Sequence, residues 1–319
     1  LSIASYFIGL AVGQMVYGPL LDRFGRKRPL YFGLVIYLIA SVFCMQSRST
    51  EALVVWRFVQ ALGGCVAWVG AMTMVRDFFP VEESSRIFSL LVLILGMSPL
   101  LAPTFGGFIA TALGWQWIFV FLCIIVVLIL ILCYFYLPEG HAPDPSISLK
   151  AGPILATFTS ILKHPQFYTY TFAGSFSFAT LFIYVAGSPV IFMQMYDLQP
   201  QVYGGIFALL SVSFIGGSQL NILLVRKYSS ARIFYTALAI QFIANILFLL
   251  FAWNGWLGLY STIGMFFIVL GCIGIINPNA SALALAPFSK NAGSASALLG
   301  FTQIGVAALA SSGVGLLDS

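Results

Sequence analysis

Gly18-Pro19-Leu20-Leu21-Asp22-Arg23-Phe24-Gly25-Arg26-Lys27-Arg28 closes the first apolar run of the chain, and its reading decides the fold. A basic turn that anchors a helix end at a lipid surface needs only the four cations. It does not call for Asp22 among them, nor for glycines at positions 18 and 25. Gly18 permits a close helix approach, and Gly25 suits a tight turn with positive φ.

Everything around this stretch is apolar. The chain has 319 residues, 14 Lys plus Arg and 9 Asp plus Glu, so 7% are charged and 61% hydrophobic; soluble domains carry about 25% charge. Mean hydropathy is +1.02. A water-soluble globule has too little polar surface to cover that much apolar side chain, so the chain reads as an all-α polytopic membrane protein. Its five cysteines, Cys44, Cys65, Cys123, Cys133 and Cys272, lie in apolar runs without CxxC spacing. With only His141 and His164 beside them, neither a metal site nor a disulfide scaffold is expected.

A helix needs about 20 apolar residues to cross the hydrocarbon core, so charge-free intervals mark the spans. They fall at about 1–21, 29–47, 52–75 (interrupted only by Arg57), two within 87–138, then 166–195, 202–225, two within 233–289, and 292–316. That predicts ten spans, five on each side of a proline-rich polar linker at 138–165. Gly114 with Trp115 and Trp117, and Gly255 between Trp253 and Trp256, mark interfacial turns. Within the linker, Ile154, Leu155, Phe158, Ile161 and Leu162 have helical spacing and suit a helix along the inner surface.

The cations set the orientation. The loops after odd-numbered spans hold Arg23, Arg26, Lys27, Arg28, Arg76, Arg86, Lys150, Lys163, Arg226, Lys227, Arg232 and Lys290; the opposite side holds only Arg48. By the positive-inside rule the odd loops and the linker are cytoplasmic. The basic pI is then a topology signal, and no nucleic acid is needed to explain it. The first residue would begin on the outer face, so one helix is expected before it, and one after the last span would even the halves at six and six.

The Gly18–Arg28 stretch resembles the signature loop between helices 2 and 3 of the major facilitator superfamily. Arg57-Phe58-Val59-Gln60-Ala61-Leu62-Gly63-Gly64 resembles the helix 4 motif of its drug:proton antiporters. Gly96-Met97-Ser98-Pro99-Leu100-Leu101-Ala102-Pro103-Thr104-Phe105-Gly106-Gly107 resembles their helix 5 motif, and Gly114-Trp115-Gln116-Trp117 the turn into helix 6. Together these are similar to the Bcr/CflA branch, the bicyclomycin- and chloramphenicol-type efflux proteins. The resemblance implies ten of twelve helices, with the first and last missing, in bundles at 1–137 and 166–319. It also implies that Gly18, Asp22, Arg23, Gly25, Arg26 and Asp77 form a conformational switch. Asp22 and Asp77 would flank Arg26, and Asp22 would approach the start of the last span near Asn291–Ser294. In the second half, Gly217-Ser218-Gln219-Leu220-Asn221 followed by Arg226 and Lys227 reads as a degenerate copy without the Asp or the turn Gly.

Arg57 is the ionisable residue well inside a span. Such residues are expensive in lipid and functional by default; the alternative is a side chain that snorkels outward over about 9 Å. Gln60, three residues on, shares its face. A proton-coupled antiporter also needs an embedded acid, which the resemblance assigns to the helix before residue 1. Pro99, Pro103, Gly106 and Gly107 within one span indicate a bent helix with close packing; the resemblance adds that it seals the closed state. Asn277-Pro278-Asn279 is expected to interrupt the ninth span, and Gln60, Tyr184, Asn277 and Gln303 are candidate linings of a largely apolar cavity. Each amide alone is more often an interhelical hydrogen bond than a ligand contact.

No phosphate-binding loop, nucleophile–base pair or metal cluster is visible, so an enzyme is not expected and no cofactor is called for. The expected function is proton-driven export of small lipophilic drugs by a monomer in the bacterial inner membrane. The rival readings are transport of an endogenous metabolite by the same fold and, more remotely, a polytopic membrane enzyme or receptor.

Overall fold

A computed structural model of the chain describes residues 2–140 and 142–317, apart from the side chains of 2–4, 7, 81–82, 99–104, 200 and 311–317. Among the described residues the regular elements are all helical: α1 Ser2–Phe24, α2 Lys27–Gln46, α3 Thr50–Phe78, α4 Val81–Ala112, α5 Gln116–Tyr136, α6 Ala151–Lys163, α7 Pro165–Pro189, α8 Pro200–Leu224, α9 Ser230–Trp253, α10 Leu259–Leu285 and α11 Ala292–Leu317. Eight of these are long and apolar enough to cross a membrane: α2, α3, α5, α7 with its extension to Met195, α8, α9, α10 and α11. The helices α1 and α4 occupy the other two stretches expected to span.

The boundaries follow local chemistry. Ser49 accepts from the Ala52 N–H at 3.2 Å and starts α3; Ser229 does the same for α9 through Arg232. Such caps satisfy donors that have no partner within the helix. Pro200 begins α8, where its missing N–H costs nothing. Gly25, Gly114 and Gly255 have φ of 82°, 103° and 68° and turn the chain between helices.

One expectation fails here. Asn277-Pro278-Asn279 does not interrupt its helix, because α10 runs unbroken through Pro278. Proline removes one backbone bond, here the one to the Gly274 carbonyl, and membrane helices tolerate such a loss; beside it the Asn279 amide donates to the Ile275 carbonyl at 2.8 Å. The irregular backbone lies instead after Pro189, where Val190–Met195 form a wider π turn. The Tyr196 N–H reaches back to the Ile191 carbonyl there.

The chain divides into two compact units. One comprises Leu1–Phe79, Ala102–Phe167 and Leu285–Phe301. Its core sets Tyr17 of α1 and Leu30 and Leu34 of α2 against Cys65 and Val66 of α3 and Val126 of α5. The linker helix α6 buries Phe158 and Ile161 while Leu155 stays exposed. The other unit comprises Pro80–Leu101, Tyr168–Ala284 and Thr302–Ser319. Its core is aromatic: Phe192, Phe214, Tyr184 and Phe266 pack with Leu210, Leu270 and Ile273. Large apolar side chains such as Ile124, Phe135, Phe242 and Leu249 are exposed, as lipid-facing residues must be.

Candidate functional site

Two turns of α1 before its end, glycine lets another helix come close. A Cβ on Gly18 would sit 2.6 Å from the Ala297 Cβ and 3.0 Å from the Ser294 Cα, both in α11. A Cβ on Gly293 would lie 2.7 Å from the Gly18 carbonyl oxygen. This backbone approach brings Asp22 to the free end of α11. Its Oδ1 accepts from the Gly293 N–H at 2.7 Å, and its Oδ2 from the Ser294 N–H at 2.8 Å and the Ser294 hydroxyl at 2.7 Å. First-turn N–H groups have no partner inside their own helix, and the helix dipole favours an anion there. Asp22 is thus a cap for a helix it does not belong to.

Arg26 sits on the other side of that carboxylate. Its Nη1 donates to Asp22 Oδ1 at 3.2 Å and to the Leu21 carbonyl at 2.7 Å. The rest of the guanidinium forks onto Asp77 of α3, with Nε to Oδ2 at 2.6 Å and Nη2 to Oδ1 at 3.3 Å. Relative exposure of the Arg26 and Asp22 side chains is 0% and 1%. Charges so buried persist only when paired and fully hydrogen-bonded, and every oxygen of Asp22 has a donor here. Hydrogen bonds to charged groups contribute about 1.5–3 kcal/mol each. The structure therefore brings Gly18, Asp22, Gly25, Arg26 and Asp77 into one cluster. Arg23 points elsewhere, donating to the Ile147 carbonyl of the linker at 2.7 Å.

One member of the cluster, Glu139, was not legible in the sequence. Glu139 Oε1 accepts from the backbone N–H groups of Arg26 at 2.5 Å and Lys27 at 3.2 Å. It caps α2, whose own N-cap residue, Arg26, makes no side-chain capping bond. Arg76 donates to the carbonyls of Ala286 at 2.9 Å and Leu285 at 3.4 Å, at the end of α10. A cation there complements the negative pole of the helix.

Arg57 lies apart from this cluster. Its Nη1 donates to Gln60 Oε1 at 2.6 Å, and the Gln60 amide donates on to the Ser41 hydroxyl of α2 at 2.6 Å. The guanidinium stands 4.2 Å from the Tyr6 ring centroid of α1 and 6.0 Å from that of Phe119 in α5. It is held inside a bundle of four helices by an amide and two aromatic faces. Among the described residues the ion pairs are Arg26–Asp22 and Arg26–Asp77, so Arg57 has no carboxylate within bonding distance there.

The remaining candidates scatter. Tyr184 is buried against Phe207 and Phe266, its hydroxyl without a partner among the described residues. Asn277 is buried, as is Gln303, whose Nε2 has no partner among them either. Pro99 and Pro103 lie outside the residues whose side chains are described. The close packing expected of Gly106 and Gly107 is absent: a Cβ on either meets no described atom within 4 Å. It falls instead to Gly96, where a Cβ would lie 2.8 Å from Ile215.

Residues 1–311 match the Major Facilitator Superfamily. The Haemophilus influenzae bicyclomycin resistance protein homolog is 31% identical over 97% of this chain and 77% of its own length. The multidrug resistance protein MdtL of Shewanella sp. is 26% identical over 100% of the chain and 79% of its own. The Escherichia coli fucose:proton symporter FucP superposes with a TM-score of 0.80 at 13% identity, covering 99% of this chain and 83% of the symporter. Fold and sequence agree: the chain is a multi-pass membrane transporter protein, not an enzyme, and it belongs to the Major Facilitator Superfamily.

Proposed function

We propose that the protein exports small lipophilic drugs across the bacterial inner membrane in exchange for protons, by alternating access, as a monomer. Ten helices span in this reading, in bundles at 1–137 and 166–319, with the linker and the loops after odd-numbered spans in the cytoplasm. The observation that carries it is the relationship to proteins named for bicyclomycin and multidrug resistance, at 31% and 26% identity over nearly the whole chain. The apolar interior supports it, since lipophilic drugs need few paired polar groups where sugars need many.

The roles divide by chemistry. Asp22, Arg26 and Asp77, with Gly18, Arg23 and Gly25, are the conformational switch. The carboxylate holds the first turn of α11 on α1, and the cycle proceeds when that turn leaves. Arg57 takes part in proton coupling as a fixed cation, and Gln60, Tyr184, Asn277 and Gln303 contribute to the substrate cavity. The bent segment from Pro99 and Pro103 to Gly106 and Gly107 limits leak.

Expression in a strain stripped of its own efflux pumps tests this. The protein is expected to raise the bicyclomycin or chloramphenicol concentration needed to stop growth several-fold, and Asp22→Asn to abolish the gain at equal membrane abundance. Unchanged susceptibility to every lipophilic drug tried, with the protein in the membrane, would refute the reading.

A further inference from the structure

The second half contains a counterpart of the α1 end built without charges. Taking Gly217 with Gly18 places Asn221 on Asp22, Leu224 on Gly25 and Val225 on Arg26. The acid and its cation have gone together, so neither leaves an unpaired buried charge. From sequence alone this stretch is only a degenerate copy. In the structure it is a buried hydrogen-bonded chain, with only Asn279 Oδ1 of its Asn atoms left without a partner among the described residues.

Asn221 is fully buried near the end of α8. Its Nδ2 donates to the Ser89 hydroxyl of α4 at 2.9 Å, and its Oδ1 accepts from Asn279 Nδ2 of α10 at 2.6 Å. The Ser89 hydroxyl in turn donates to the Ser85 carbonyl at 2.8 Å, and the Ser85 hydroxyl meets that of Ser230, in the first turn of α9, at 2.7 Å. Ser85, Ser89, Asn221 and Asn279 are all buried with no exposed surface. Glycines set the scaffold again: a Cβ on Gly217 would fall on the Gly271 carbonyl, and one on Gly274 on the Phe214 carbonyl. With α8 and α10 locked backbone to backbone, Asn221 and Asn279 form a fixed seat, and α4 is the element bound to it by hydroxyls.

We infer that Asn221 is the second-half counterpart of Asp22: a positioning residue that, through Ser89 and Asn279, clamps the first turns of α4 onto α8 and α10 as Asp22 clamps the first turn of α11 onto α1. The transport role of this clamp rests on the efflux reading; its existence does not. The two clamps differ in strength and kind. Asp22 uses charge-assisted bonds to backbone N–H groups, whereas Asn221 uses neutral bonds to the Ser89 hydroxyl and the Asn279 amide, about half as strong. The α4 clamp is therefore the weaker of the two and opens first. A buried chain of this sort acts as a unit, so breaking it at either end has the same effect.

The test uses the full chain, purified in detergent, carrying Asn221→Ala, Ser89→Ala or both. Ser89→Ala removes one oxygen and keeps the helix intact. Amide exchange over residues 83–90 is expected to rise about tenfold in each single variant, and no further in the double, while exchange over α8 and α10 stays at its wild-type rate. Drug export should fall in parallel in all three. Unchanged exchange in Ser89→Ala, additive effects in the double variant, or a rise spread equally over α8 and α10 would overturn the clamp. If the wild type exports no drug, the exchange result still decides the clamp, and the efflux reading alone has failed.

Discussion

Asp22, at the end of α1, accepts a hydrogen bond at 2.7 Å from the backbone N–H of Gly293, 271 residues further along the chain. A carboxylate from one end of the sequence thus occupies the anion site at the start of the last helix. It can hold that helix only while the two backbones stay in contact through Gly18. The bond is strong because the site is dry and directional, and reversible because it joins separate helices.

Asp22→Asn keeps the shape and removes the charge. The amide cannot serve both N–H groups of α11 and Arg26 together, and loss of one partner from a buried pair costs about 3–5 kcal/mol. Drug transport is expected to fall at least about tenfold, with membrane abundance and secondary structure unchanged. Transport rates in vesicles matched for protein content check this.

Arg26→Lys tests geometry rather than charge. The guanidinium reaches Asp77 through two nitrogens and Asp22 through a third, and an ammonium cannot reproduce that fork. Arg26→Lys should therefore lose transport nearly as completely as Arg26→Ala. Near-normal transport by the Lys variant would mean that net charge alone suffices.

Glu139→Ala should weaken the start of α2, beside the switch, while leaving the Asp22–Arg26–Asp77 side-chain bonds in place. Its carboxylate caps the Arg26 and Lys27 N–H groups, and loss of such a cap costs about 1 kcal/mol. Glu139→Gln, which keeps an acceptor, should cost less. Midpoints of thermal unfolding in detergent, ranked wild type, Gln, Ala, would bear this out.

What the sequence revealed and what it hid follow the range of the forces. The turn at Gly25 was legible because a positive φ is a demand of neighbouring residues, and the helices because apolar runs of that length have one solution in lipid. Glu139 was hidden: its partners lie 113 and 112 residues away, and nothing local distinguishes it from a solvated acid after a proline. The break expected at Pro278 did not occur: α10 runs on through it, and only the tertiary fold puts Asn221 beside Asn279. The small-residue expectation at Gly106 and Gly107 failed for the same reason. A glycine advertises possible contact, and the contact is decided by what faces it.

Arg57→Ala should separate coupling from binding. Its guanidinium is held by Gln60 and the Tyr6 and Phe119 rings, so a role confined to proton coupling predicts that gradient-driven transport falls at least about tenfold while drug–drug exchange continues. Loss of both together would make it a substrate contact instead.

The central claim is exchange of drug for protons, and it is tested most directly in proteoliposomes with an acidic lumen. The drug should be neutral, such as chloramphenicol, so that protonation cannot trap it. The account predicts that the drug accumulates inside while the lumen loses protons. It further predicts that an uncoupler, which collapses the pH gradient by itself, abolishes drug accumulation, and that liposomes with the Asp22→Asn protein behave like empty ones. Accumulation that ignores the pH gradient, proton flow in the same direction as the drug, or no drug movement by a correctly inserted wild-type protein would contradict it.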